Sequence, residues 1–160
     1  MRPLVRGLAL APLAWALACA ATPTPVAPSG AASRSPSVRN EAVRTATSMI
    51  GVPYRWGGRT PRGFDCSGLV VYSYGEAGLR GLPHSAAALE RHARPIALAS
   101  LEPGDLLFFD LEGRKAAHVA IYLGGRAFVH APSPGKRVER VDFDHVYWGT
   151  RIRRAGRVAR

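Results

Sequence analysis

Gly63-Phe64-Asp65-Cys66-Ser67-Gly68-Leu69-Val70-Val71-Tyr72-Ser73-Tyr74-Gly75 is the stretch on which the fold turns. It reads as a turn that delivers a cysteine onto the first turn of a helix. Asp65 and Ser67 suit a helix start, Leu69, Val70, Tyr72 and Ser73 continue at helical spacing, and Gly78 supplies a stop. A thiol at a helix N-terminus faces unpaired N–H groups and the positive end of the helix dipole. Both favour the thiolate. A lone cysteine in an apolar helix is otherwise a small buried hydrophobe. Cys66 therefore gains a chemical role only through partners elsewhere in the chain.

On the N-terminal side, Val52 to Gly58 form an aromatic, glycine-punctuated loop containing Tyr54 and Trp56. Before it, Val38, Ala42, Val43, Ala46, Met49 and Ile50 recur at helical spacing, with Ser35-Pro36 as a start and Gly51 as a stop. Residues 19–37 are rich in Ala, Thr, Pro and Ser, a composition that cannot pack and reads as a tether. Residues 1–18 place Arg2 and Arg6 before an uncharged run, the layout of an export signal too short to span a membrane. Cys19 at its end is a candidate lipidation site. Export followed by lipidation or loss of Cys19 leaves Cys66 unpaired, whereas a Cys19–Cys66 disulfide would close a large loop through a floppy tether.

On the C-terminal side the periodicity changes. Ser85 caps a short helix through Arg91, and Pro95 and Pro103-Gly104 bracket a connector. Strands are expected at Leu106–Phe109, His118–Leu123, Ala127–His130, Val138–Val141 and Tyr147–Ile152, with residues 153–160 as a solvated basic tail. Helices first and antiparallel strands after make an α+β fold, with the domain at residues 38–152. Gly124-Gly125 joins the strands that carry His118 and His130. A two-residue loop there would send the two imidazoles to opposite faces, and a three-residue loop centred on Gly124 would set them opposite each other on one face. In the second geometry one imidazole takes the thiol proton and the other orients it. Cys66, His118 and His130 could also ligate zinc, although their spacing matches no compact metal motif.

These residues resemble a known family. Pro53-Tyr54-Arg55-Trp56-Gly57-Gly58, Asp65-Cys66-Ser67-Gly68-Leu69, Pro103 to Phe109, His118 to Gly124 and Phe128 to Ser133 look like the successive motifs of the NlpC family. These are bacterial cell-wall cysteine peptidases with a reduced papain-like fold. The resemblance covers about Val38 to Arg151. It implies Cys66 as nucleophile, His118 as general base and His130 as the residue that orients it. It also implies Tyr54 near the oxyanion, and Asp65 and Ser67 as groups that recognise a free peptide amine. His84 departs from the pattern, standing where many relatives have arginine. The implied substrate is the peptidoglycan stem peptide, cut between D-glutamate and the diamino acid. No cofactor or metal is expected, and the protein is expected to be a monomer in the cell envelope, with the membrane as a second partner through a lipid on Cys19.

The formal charge of +11 suits an anionic wall or membrane face. Loss of Arg2 and Arg6 with the signal lowers it by only two. Nucleic acid is disfavoured by the export signal and the lack of a binding motif. Two rival readings remain: an amidase or acyltransferase acting on another amide or ester, and a non-catalytic wall-binding lipoprotein of the same fold.

Overall fold

Ser37, the first residue described in the computed structural model, caps helix α1 (Val38–Ser48) by accepting from the Asn40 N–H at 3.3 Å. The structure describes residues 37–158. The expected signal, Cys19 and all of the tether but Ser37 lie outside them. Buried Ala42 and Ala46 let α1 approach helix α2 (Cys66–Glu76) closely. Between them a small hairpin, β1 (Arg59–Thr60) and β2 (Gly63–Phe64), leads straight into α2. Helix α3 (Ala86–His92) follows.

The remainder is a six-stranded sheet of β3 (Arg94–Ile96), β4 (Leu106–Leu111), β5 (Arg114–Gly124), β6 (Ala127–His130), β7 (Glu139–Asp142) and β8 (Ile152–Arg157). Its order is β3-β8-β4-β5-β6-β7, every pair antiparallel. Leu106-Leu107-Phe108-Phe109 is apolar without alternation because both sheet faces are covered. Leu106 and Phe108 join Val119, Ile121, Val129 and the helices in one core; Leu107 and Phe109 join Ala120, Tyr122, Phe128 and Trp148 in another. The α+β expectation holds.

Three expectations are corrected. Tyr147–Ile152 is not a strand: Val146–Gly149 is a short helix, α4, capped by the His145 side chain, which accepts from the Tyr147 and Trp148 N–H groups. Residues 153–157, expected to be a solvated tail, are most of β8 and pair with β3 and β4. Two of the three arginines there are engaged in hydrogen bonds. Arg157 holds both oxygens of the fully buried Asp105 at 2.7 and 2.8 Å, and Arg154 bonds Asp110 and Glu90. Pro95, expected in a connector, sits in the edge strand β3, where a missing N–H is tolerated.

The hairpin between β5 and β6 differs from both loops considered. The turn residues are Gly125 and Arg126, both with positive φ (58° and 61°), and a register shift follows between Tyr122 and Gly124. The turn alone pairs Gly124 with Ala127, which would put His118 and His130 on opposite faces. The bulge moves the pairing to Tyr122 with Phe128 and restores a shared face. His118 and His130 are therefore diagonal neighbours on one face, not directly opposite.

Candidate active site

Cys66 is the first residue of α2, and Asp65 is its N-cap. The Asp65 carboxylate accepts from the Gly68 N–H at 2.6 Å, the Gly57 N–H at 3.0 Å and the Ser67 hydroxyl at 3.0 Å. The His84 Nε2 lies 3.0 and 3.1 Å from its two oxygens, so that nitrogen carries the proton. Gly68 is required here, since a Cβ on it would sit 1.9 Å from the Gly58 carbonyl oxygen. The loop before the hairpin and the start of α2 are thus clamped into one corner around a single carboxylate.

The second half of the site comes from the sheet. His118 on β5 and His130 on β6 are both buried, with His118 Nε2 2.7 Å from His130 Nδ1 and the rings nearly perpendicular at 88°. Trp148 covers the pair, its ring centroid 4.9 Å from His118 and 4.5 Å from His130, while Phe109 and Phe128 flank them. The two halves meet where the Val119 N–H, one residue after His118, reaches the Cys66 sulfur. Tyr54 closes the group, its hydroxyl sensing the charges of Cys66 and Asp65.

Burial decides the electrostatics. It pushes the Cys66 thiol up to about 11, against the N–H groups of Val119, Ser67 and Cys66 that favour the thiolate. It pulls His118 down to about 3, against the attraction of the Asp65 carboxylate. His130 is also held low by burial, then by His118 and His145. The thiolate expected from the helix terminus alone is overruled by desolvation. Near neutral pH the free site holds a thiol and two neutral imidazoles. Burial likewise raises the Tyr54 hydroxyl, with Cys66 and Asp65 adding to the effect.

The structure brings together Tyr54, Asp65, Cys66, Ser67, His118 and His130. Ser67 is buried and spends its hydroxyl on Asp65, so these two side chains are first of all structural partners of each other. Cys66 is a free thiol. The zinc reading fits poorly, because the nearest nitrogens of the imidazoles face each other at hydrogen-bonding distance, and among the described residues no cluster suited to a metal ion occurs. Two contributors do not stand out in the sequence. Trp148 is hidden in a stretch that reads as a strand. Glu139, on β7 opposite His130, places Oε1 3.4 Å from His130 Nε2. Its signal is weak: one polar residue in an alternating edge strand.

Comparison with known proteins gives a consistent picture. Residues 51–157 match the model of the NlpC/P60 family. The chain is 40% identical over 111 residues to murein DD-endopeptidase MepH of Escherichia coli, covering 67% of this chain and 41% of that protein. It is 36% identical over 109 residues to the gamma-D-glutamyl-L-lysine dipeptidyl-peptidase of Bacillus subtilis, covering 67% and 36%. The crystal structure of the NlpC/p60 domain of peptidoglycan hydrolase SagA superposes with a TM-score of 0.64 at 36% identity, covering 74% of this chain and 97% of that one. The region of match takes up between 20% and 47% of the length of the curated relatives.

Proposed function

The chain belongs to the NlpC/P60 family, and we propose that it hydrolyses the peptidoglycan stem peptide at the bond between D-glutamate and the diamino acid, with Cys66 as nucleophile. The observation that carries this reading is the junction of a thiol at the start of α2 with two imidazoles joined at 2.7 Å. A binding module has no use for that junction. The names of the relatives support a peptidoglycan substrate.

The chemistry follows from the resting protonation states. Substrate binding brings the carbonyl carbon to the Cys66 sulfur, and the thiol proton passes to His118 as the C–S bond forms. The oxyanion is met by N–H groups at the start of α2 and by the Tyr54 hydroxyl. His118, now imidazolium, returns its proton to the departing amine as the C–N bond breaks. Water then gives a proton to His118 and its oxygen to the thioester, releasing the acid and restoring the thiol. His130 keeps the His118 ring in place, and Trp148 keeps water off their hydrogen bond. Asp65, held by the Ser67 hydroxyl, presents negative charge to a free amine.

Digestion of purified sacculi, with the new termini identified by mass spectrometry, tests this. The active domain is expected to expose a D-glutamyl carboxyl, and Cys66→Ser to expose none. New termini at the D-alanyl cross-link instead would assign the DD bond that the name of MepH describes. Identical products from both proteins, or none from either, would sink the endopeptidase reading. Export and anchoring through a lipid on Cys19 complete the proposal, supported by the sequence of residues 1–19. Cys19→Ala is expected to move the protein from the membrane fraction to the soluble one; retention on the membrane would refute the anchor.

A further inference from the structure

We propose that Glu139 is a positioning residue that selects which nitrogens of the histidine pair carry protons. The inference rests on the Cys66–His118–His130 reading above and adds a fourth member. Glu139 and His130 are cross-strand partners in the β6–β7 register, so their side chains share a face. His130 is fully buried, and its Nδ1 is taken by His118. Among the described residues its Nε2 has no hydrogen-bond partner, and it faces the Glu139 carboxylate at 3.4 Å. That separation is longer than a made hydrogen bond, so Glu139 acts there as a fixed negative charge. The other groups around His130 are His118, His145, Phe128 and Trp148. None of them is a carboxylate.

Two neutral imidazoles joined nitrogen to nitrogen have two arrangements, and only one is useful. If His118 Nε2–H donates to His130 Nδ1, then His118 Nδ1 keeps a lone pair free to receive the thiol proton, and His130 carries its proton on Nε2. If His130 Nδ1–H donates instead, His118 carries its proton on Nδ1 and cannot act as a base there. The second arrangement also turns a bare Nε2 lone pair toward the carboxylate, which is repulsive. The first presents an N–H to it. Glu139 therefore favours the arrangement in which His118 is a competent base, as a carboxylate behind a catalytic imidazole does elsewhere. Once His118 becomes imidazolium, the same negative charge stabilises it through His130. Half-exposed Glu139 touches no reacting atom, so its role is exerted entirely through His130.

Nitrogen-15 NMR of the histidine rings reads this directly, beside kinetics on muropeptides. In the native protein both His118 and His130 are expected to be protonated on Nε2. Glu139→Ala should populate the reversed tautomers and lower kcat about tenfold, with KM nearly unchanged. Glu139→Gln, which keeps the shape and loses the charge, should behave like Glu139→Ala, whereas Glu139→Asp, which keeps the charge, should retain the native tautomer and much of kcat. Urea unfolding of each variant checks that the fold is kept. A ring-nitrogen spectrum or a kcat unchanged in Glu139→Ala would overturn the inference. If the native protein cuts no muropeptide while the spectra change as described, the proposed function fails and the tautomer selection stands.

Discussion

The two halves of the site are built in opposite ways. The Cys66 corner is polar and local: Asp65 binds Gly57, Ser67 and Gly68 within a dozen residues, and among the described residues only His84 reaches that carboxylate from farther along the chain. The histidine pair is buried, aromatic and nonlocal, assembled from β5, β6 and α4, with the half-exposed Glu139 beside it. The corner sets where the sulfur is. In the proposed reaction the pair takes the proton from that sulfur. A local device tolerates the loss of one contact because others remain, whereas the pair depends on one register and has nothing in reserve.

The sharpest way to break that contrast is to change the register. Gly124 carries the bulge at a φ of 91°, and Gly124→Val, which disfavours that φ, is expected to straighten β5 into the continuous Gly124–Ala127 register, in which His118 and His130 face opposite sides of the sheet. Activity on muropeptides is expected to fall about 10³-fold, the scale of losing general acid–base catalysis. Alkylation of Cys66 should still proceed, since the corner is untouched. If Gly124→Val keeps a native circular-dichroism spectrum and near-native activity, the pair is not register-dependent and the contrast is wrong.

This division also explains what is legible in the sequence. Asp65, Cys66, Gly68 and the start of α2 are readable because a helix cap is written in consecutive residues. Whether His118 and His130 share a face stays open at that level, because the parity of the pairing rests on a bulge at Leu123–Gly124 that twin glycines permit without requiring. Trp148 escapes notice because Tyr147, Trp148 and Ile152 look like strand residues, while the signal for α4 is a histidine cap at His145 that propensity does not reveal. The arginines of β8 look like a solvated tail because their partners, Asp105, Asp110 and Glu90, lie 44 to 64 residues away. The direction of the Cys66 shift is hidden for the same reason. The helix dipole is local and visible, whereas the burial that overrules it is tertiary.

That burial gives the next test, with its sign fixed by the shifts. With Cys66 raised to about 11 and His118 lowered to about 3, the free site has neither thiolate nor imidazolium near neutrality. The rate of iodoacetamide alkylation should therefore rise about tenfold per pH unit from 7 to 9. A preformed thiolate–imidazolium pair would instead give a plateau across that range, and its observation would refute the neutral pair. Stability should follow the same groups. The unfolded chain takes up protons on His118 and His130 below their ordinary 6.5, and loses one from Cys66 above its ordinary 9.0. The fold is thus expected to weaken on both sides of that window, measured as a falling urea midpoint.

The smallest effect is expected at His84, and it sharpens the contrast from the other side. His84 is a distant contributor to the corner, holding both oxygens of Asp65 at 3.0 and 3.1 Å. Both side chains are partly open to solvent, at 26% and 15% exposure, which screens the interaction. Removing it leaves the Gly57 and Gly68 N–H groups and the Ser67 hydroxyl on the carboxylate, so α2 keeps its cap and Cys66 its place. His84→Ala should lower kcat about threefold and stability by about 1 kcal/mol, the net worth of one such hydrogen bond. His84→Arg, which keeps a donor beside Asp65, should act close to the native protein. A loss in His84→Ala as large as that from Gly124→Val would mean that the corner is no more self-sufficient than the pair. The nucleophile would then be placed by tertiary contact as well.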